Sequence, residues 1–403
     1  MTQRTQMQGA LHGLKVVECA TVVAAPLCGR LLADFGADVL HVEHPKKGDP
    51  LRDFGFTKDG INPWWKYYGR NKKFITLDIS KPKGKDILYK LLAEADVFIE
   101  NFTPGRLEKW GITYEELNAI NPRLVMVRVS GYGQTGPYSQ QPGFGTIAEV
   151  MSGFAEMTGE PDGSPTLPQF PLADTCAGFY AALATMFAVY NRDSGGSGKG
   201  QMVDVSILES LFSILGPNAL VHHVTGKSPT RIGNRAPTSS PRNIYRTKDN
   251  RWVAIASATQ STAVRLFELM GQPDLVNDPR FSTNGNRVKN SDEVDRIVSG
   301  WVEKFTRQEI TTLLRDNGVP VGPVNNVEDI LHDPHAIARE MIVEKADKDG
   351  RTWRMEGIFP KLSRTPGAVE NLGGELGSDN ELVFNALGIS SEDMAELKKE
   401  NII

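Results

Sequence analysis

Over the first third of the chain, short β-branched runs alternate with stretches of helical period. Leu14 to Glu18 (Leu-Lys-Val-Val-Glu) predicts a strand. Thr21 to Pro26 turns out of it into a helical stretch, Leu27 to Phe35, with Gly36 as a natural C-cap. Asp38 to Glu43 reads as the next strand. Two further units follow, Phe74 to Asp78 with the helix Gly84 to Ala93, and Val97 to Ile99 with the helix Tyr114 to Ile120. Leu124 to Ser130 then supplies another strand. This alternation predicts an α/β fold of the doubly wound kind, with a mostly parallel sheet and ligand groups on the loops leaving the strand ends.

The pattern changes in the second half. Val205 to Leu215 reads as a long apolar helix ended by Gly216-Pro217, and the proline-rich loop Arg231 to Asn243 marks a domain boundary. Tyr245 to Ser257 predicts a hairpin around Lys248-Asp249-Asn250, and Val264 to Met270, Asp292 to Phe305 and Gln308 to Asn317 predict amphipathic helices. Tyr245 to about Asn325 therefore reads as a smaller α+β domain. Asp333-Pro334-His335 opens another helix, Arg351 to Met355 and Gly357 to Phe359 are extended, and Ser391 to Asn401 closes the chain as a charged helix.

One stretch departs from both patterns. Phe170-Pro171-Leu172-Ala173-Asp174-Thr175-Cys176-Ala177-Gly178 leads into Phe179 to Tyr190, which has hardly a polar side chain and is rich in small residues. It predicts a helix buried on all faces with close neighbours, too short and too firmly bounded by Pro171 and Arg192 to span a bilayer. Asp174 falls where that helix begins. It could cap the free amides of the first turn, or act as an ionised nucleophile that needs no base, since an Asp side chain has a reference pKa of about 3.9 and helix-end dipoles favour the anion. The two roles are compatible.

Composition narrows the class. A chain of 403 residues, 40% hydrophobic and 23% charged, is that of a soluble globular protein with more than one core. Its net charge of −4 gives no general attraction to nucleic acid or an anionic membrane. Three scattered cysteines, Cys19, Cys28 and Cys176, suggest neither a disulfide framework nor a zinc site and fit the reducing cytoplasm. Met1 to Leu14 has no apolar core and reads as neither signal peptide nor anchor.

Some motifs mislead. Gly131-Tyr132-Gly133-Gln134-Thr135-Gly136 spells the dinucleotide fingerprint after a strand, but Pro137 and Pro142 stand where a helix should follow, and no second strand ends in an acid about twenty residues on. Asp193 to Gly200 resembles a phosphate loop but lacks its first glycine and its Ser/Thr, so it reads as a flexible turn. The pairs His41 and His44, His222 and His223, and His332 and His335 have no Glu or Cys partners in a metal-site pattern, which leaves surface or core roles and no metal. Cys176 could be a helix-start thiolate, but no His or Lys adjoins it in sequence, and a small buried filler is the better reading.

An ordered series of short motifs remains. Ala25-Pro26 follows the first strand; Gly36-Ala37-Asp38-Val39 leads to Glu43; Asn71-Lys72-Lys73 precedes Leu77-Asp78; and Ala95-Asp96-Val97 precedes Glu100-Asn101-Phe102-Thr103-Pro104-Gly105. Then come Asn121-Pro122-Arg123-Leu124, Ser130 to Gly133, Ser152-Gly153 with Thr158-Gly159, Asp174 with Gly178, and Gly198-Lys199-Gly200-Gln201. With these motifs the chain resembles the family III coenzyme A transferases (CaiB/BaiF type), which include formyl-CoA, carnitine-CoA and succinyl-CoA dependent members. The likeness covers nearly all of its length.

That resemblance implies an enzyme moving CoA from an acyl-CoA donor to a small carboxylic acid, with Asp174 as nucleophile, CoA as substrate and no tightly bound cofactor. It implies a Rossmann-like large domain (1–225, completed by a return segment 329–403), a small α+β domain (226–328), and an interlocked-ring homodimer. By the same likeness CoA would lie along Val22, His44, Leu77, Asn101, Phe102 and Lys109 and across the turn Gly143-Phe144. Plain core packing is the alternative for Leu77 and Phe102. His44 and Lys109 stand where some members carry arginines, and Arg106 lies close to the second. Lys72, Lys73, Arg70 or Lys109 are expected to meet the CoA phosphates. Gly233-Asn234-Arg235 to Tyr245 replaces the glycine-rich lid of formyl-CoA transferase, which argues against formyl transfer. α-Methylacyl-CoA racemases share the fold and the aspartate but use a histidine in Gly-His-Asp; here the matching turn is Gly143-Phe144-Gly145, which lacks that base. A catalytically silent CoA-binding partner subunit would be expected to lack the acid.

Overall fold

The computed structural model describes residues 9–347 and 350–403. For residues 1–8, the reading of Met1 to Leu14 as neither signal nor anchor lies outside these. The chain divides into two compact units: one holds the stretch up to Phe154, Leu167–Leu220 and Glu340–Ile403, the other Ala155–Thr166 and Val221–Arg339.

The first unit is built on six parallel strands, β1 (Lys15–Cys19), β2 (Asp38–Glu43), β3 (Lys73–Thr76), β4 (Val97–Glu100), β5 (Val125–Ser130) and β6 (Met202–Ser206), in the order β3-β2-β1-β4-β5-β6. Every residue of β4 and β5 is buried, as expected when helices cover both faces of a parallel sheet. Alternation along the strands sorts the side chains. Val16, Val97, Ile99 and Val127 join the core under the helices Ala24–Asp34 and Leu172–Asp193. Val17, Leu40, Phe98 and Met126 join the opposite core with Leu88 of the helix Pro82–Ala93 and with Phe384, Leu397 and Ile403 from the chain's end.

Two expectations need correction. Met202–Ser206 is a strand and not part of the helix read from Val205; the helix runs Ile207–Ile214, and Ser206 caps it by accepting from the Glu209 amide at 3.2 Å. Strand β6 sits beside β5 because its Val203 and Val205 alternate with polar neighbours at the sheet's edge. The apolar helix Leu172–Asp193 is 22 residues long, roughly 33 Å at 1.5 Å per residue, so length does not exclude a span as expected. Nor is it buried all round. Ala173, Ala177, Ala181 and Ala188 face the core, while Phe179 (49% exposed), Leu183, Phe187 (64%) and Tyr190 (70%), spaced for one helix face, are bare in the single chain.

In the second unit the hairpin forms as expected, β7 (Arg242–Arg246) with β8 (Trp252–Ala256), and β9 (Val321–Pro323) pairs antiparallel beside β8. Val253, Ile255, Leu266, Val298, Ile310 and Leu314 form its core. A third small sheet, β10 (Ile342–Ala346) with β11 (Thr352–Glu356), belongs to the first unit; Gly357 to Phe359, expected to be extended, forms no strand.

The small residues of the long helix allow a close crossing. A Cβ at Gly178 would lie 2.7 Å from Leu27 Cβ and 2.8 Å from the Ala24 carbonyl. Gly178→Val is therefore expected to destabilise the fold by about 1–3 kcal/mol, read as a lower midpoint in chemical denaturation. An unchanged midpoint would mean the two helices are free to part.

Candidate active site

The order of the sheet reverses between β1 and β4, so the loops leaving these strands diverge and open a crevice, the usual ligand position in such folds. Thr21, Val22 and Val23 follow β1 and Asn101 follows β4. They line a cavity of about 670 Å³ together with Gly143, Phe144, Glu149 and Asp174.

Asp174 stands in the first turn of its helix but is not the N-cap. That position belongs to Pro171, which makes no side-chain cap bond. The Ala173 amide donates to Glu149 Oε1 at 3.3 Å, and of the first-turn amides Asp174 engages its own. Its carboxylate accepts from the Gly145 amide, and only glycine fits there, because a Cβ on Gly145 would collide with Asp174 Oδ2. Burial, and then the charge of Glu149, push the Asp174 carboxyl up to about 6, with the Gly145 amide pulling the other way. The helix-end dipoles expected to keep it low are outweighed by desolvation. Near pH 7 the group is still mainly ionised.

The opposite wall is held under strain. Val22 has φ +70°, rare for a β-branched residue and worth about 1–3 kcal/mol. Its amide donates to both oxygens of Asp49 at 3.1 and 3.3 Å. Asn101 clamps the preceding peptide, accepting from the Thr21 amide at 3.0 Å and donating to the Thr21 carbonyl at 2.8 Å. Behind Asp49 lies a buried chain of charge. His41 sits between Asp49 and Glu18, and Lys72 Nζ reaches both Glu18 oxygens and the Pro26 carbonyl.

The structure brings some of the expected CoA residues together and not others. Val22, Asn101, Gly143 and Phe144 share the cavity with Asp174. His44, Leu77 and Phe102 line a smaller one of about 130 Å³ that shares Thr21 with it. Leu77 and Phe102 also belong to a hydrophobic core, Phe102 edge-on to Trp110. Lys109 lines neither cavity and stands exposed at the end of the short helix Arg106–Lys109. Two of the cations expected at the CoA phosphates are spoken for. Lys72 is buried on Glu18, and Arg70 is buried with two bonds to Asp34 and one to the Glu356 carbonyl. Neither can leave without stranding a buried carboxylate.

His41 is a core histidine, as one of the two sequence readings had it. Cys176 is half-buried with its thiol pushed up by burial, so the low-pKa thiolate does not arise. After β5 the Gly131 to Gly136 loop bends without opening a helix. Sequence reasoning missed Asp49 and Glu149. Both left a signal: Asp49-Pro50 is a typical helix start, and Glu149 is a lone acid among Ile147, Val150 and Met151.

A doubly wound sheet with two carboxylates in its switch-point cavity, and a Gly131 to Gly136 loop that opens no helix, places the chain among α/β proteins that bind a ligand in that crevice, without the helix of the dinucleotide fingerprint. Comparison with known proteins makes it specific. Residues 11–380 match the sequence profile of CoA-transferase family III. The chain is 40% identical over 395 residues to the succinyl-CoA–D-citramalate CoA-transferase of Chloroflexus aurantiacus, covering 98% of both chains. It is 38% identical to the beta subunit of that organism's succinyl-CoA–L-malate CoA-transferase, again covering 98% of each. The crystal structure of a CAIB/BAIF family protein from Brucella suis superposes with a TM-score of 0.83 at 32% identity, covering 94% of this chain and 100% of that one. The chain belongs to CoA-transferase family III and is an enzyme of that type.

A carboxyl whose folded pKa, about 6, lies above its unfolded value of 3.8 works against folding when ionised. The cost is absent below about pH 4, where both states are protonated, and complete above about pH 6. Asp174→Asn is therefore expected to be more stable than the wild type at pH 8 by about 2 kcal/mol, the gain shrinking as pH falls from 6 to 4. Thermal melts across that range check it.

Proposed function

We propose that this enzyme transfers CoA from succinyl-CoA, or a similar acyl-CoA, to a small dicarboxylic or hydroxy acid, with Asp174 as the covalent nucleophile. The donor and acceptor class come from the names of the relatives, which act on succinyl-CoA with D-citramalate or L-malate. The observation that carries the nucleophile is the placement of Asp174: a carboxylate with no cation beside it, open to the cavity at the switch point.

The chemistry needs no ATP and no net proton transfer. An Asp174 oxygen attacks the acyl carbon, the C–S bond breaks, and CoA leaves as thiolate from a mixed anhydride. The thiolate attacks the aspartyl carbonyl and expels the donor's carboxylate, leaving an aspartyl-CoA thioester. The acceptor carboxylate attacks that carbonyl and displaces the thiolate, forming a second anhydride. Thiolate attack on the acceptor's acyl carbon then releases the new thioester and restores the Asp174 carboxylate. Val22, Asn101, Gly143 and Phe144 would flank the thioester end of CoA, with His44, Leu77 and Phe102 further along and Lys109 meeting a phosphate at the surface.

In this reading residues 1–225 and 329–403 form the CoA-binding domain and 226–328 the small domain, and the enzyme works in the cytoplasm as an interlocked homodimer. The bare face of Phe179, Leu183, Phe187 and Tyr190 supports a second copy. A racemase is disfavoured because Phe144 and Gly145 supply no general base.

Incubation with a panel of acyl-CoAs and free acids, followed by mass spectrometry, should reveal new thioesters, and hydroxylamine should trap Asp174 as its hydroxamate. Asp174→Asn should bind CoA with unchanged affinity and show no exchange; retained turnover would overturn the assignment. Wild-type kcat/KM should fall on the acid side of about pH 6 as the nucleophile is protonated.

Phe187→Lys with Tyr190→Lys should shift the enzyme from dimer to monomer in light scattering. A wild type that is monomeric would remove the interlocked pair.

A further inference from the structure

The nucleophile shares its cavity with a second acid that the reaction scheme does not use. Glu149 is 3% exposed and comes from the helix Gly145–Met151, whose first amide also bonds Asp174. Its Oε1 accepts from the Ala173 amide, one residue before the nucleophile. Among the described residues lining the cavity, Asp174 and Glu149 are the only charged side chains. Nothing within the cavity wall neutralises either.

Other titratable groups near the long helix are turned elsewhere. Tyr68 bonds Thr175, and Cys176 is a neutral thiol with its titration pushed up. On the elements packed against that helix, Arg30 lies over the Tyr67 ring, Asp34 holds Arg70, Arg128 holds Glu100 and Glu108, Asp204 accepts from the Gln134 amide, and Glu209 faces solvent. Among the described residues, Glu149 is the acid whose charge bears on Asp174, and Tyr68, also coupled to it, is a neutral phenol with its titration pushed up to about 12.

We propose that Glu149 is a positioning residue for Asp174: it anchors the start of the nucleophile's helix through the Ala173 amide and faces the nucleophile inside a cavity whose described lining holds no cation, an arrangement that favours retention of CoA on Asp174. This rests on the reading of Asp174 as the nucleophile. In the mixed anhydride two carboxylates compete as leaving groups. Thiolate attack on the aspartyl carbonyl expels the substrate acid and goes forward; attack on the substrate carbonyl expels Asp174 and returns the starting thioester. The weaker base leaves more readily. An ordinary Asp at about 3.9, against about 4.3 for a Glu-like aliphatic acid, would be expelled in preference and the anhydride would mostly revert. With its basicity raised above that of such acids, Asp174 stays and the substrate acid leaves.

The test separates anchoring from charge. Glu149→Gln keeps an oxygen that can accept from the Ala173 amide and removes the charge; Glu149→Asp keeps the charge one methylene further off. Carbodiimide couples to protonated carboxyls, so its labelling of Asp174 against pH, followed by peptide mass spectrometry, reads protonation without turnover. The wild-type midpoint is expected near 6. In Glu149→Gln it should fall by about one pH unit, the size of a neighbouring-charge effect. The acid limb of kcat/KM should move with it, and the hydroxylamine-trapped aspartyl fraction should drop several-fold, with Glu149→Asp recovering most of both. An unchanged Asp174 midpoint in Glu149→Gln would overturn the proposal. So would a wild-type midpoint near 4, which decides the matter even should both variants fail to fold. A wild type that labels as expected but exchanges no thioester would instead defeat the transferase reading and leave the pairing intact.

Discussion

A carboxylate kept ionisable in a largely apolar wall is costly to hold, and in the first unit Asp174 is held in that state at the switch-point cavity. Burying Asp174 raises the free energy of its charged form. A salt bridge would relieve that cost, but it would also quench the nucleophilic role proposed for Asp174. The fold offers two backbone amides, from Gly145 and from Asp174 itself, and a like charge, from Glu149. The stability given up at this point is recovered in the rest of the unit, in two cores pressed on a sheet whose central strands are wholly buried.

The contrast with the chain of charge beneath Val22 makes the same point. Glu18, His41 and Lys72 are all buried, and both Glu18 oxygens and the Lys72 ammonium find partners. These groups are structural. Their effect reaches the cavity only through Asp49, which grips the amide of a valine in a conformation valine avoids. A strained peptide persists when its surroundings over-determine it, and here Asn101 and Asp49 hold it from both sides.

Much of this could be read from the chain. The periodicity of the first third gave the parallel sheet, because fully buried strands are continuous β-branched runs, and Asp38–Glu43 and Tyr114–Ile120 matched to the residue. Strand β6 escaped because Met202-Val203-Asp204-Val205-Ser206 flows straight into an apolar helix; the Ser206 to Glu209 cap was the break in that run. Asp174 stood out as the lone acid of an apolar segment, but Glu149, which shares its cavity, and Asp49, which holds the Val22 amide of the cavity wall, lie 25 and 125 residues away in sequence. Pattern reports which faces are apolar, not which distant polar groups a fold will bring to one point.

The same limit explains the error over the long helix. A sequence that is apolar all round requires that every face be covered, and it does not say by what. The small residues answer for one side, since Gly178 admits Leu27 and the Ala24 carbonyl at contact distance. Phe179, Leu183, Phe187 and Tyr190 are large where the buried face is small, so the two faces are shaped for different neighbours. A face made for the chain's own backbone and a face made for broad apolar contact sit on one helix, and Asp174 stands in its first turn. Whatever covers the second face therefore also bears on how firmly Asp174 is held.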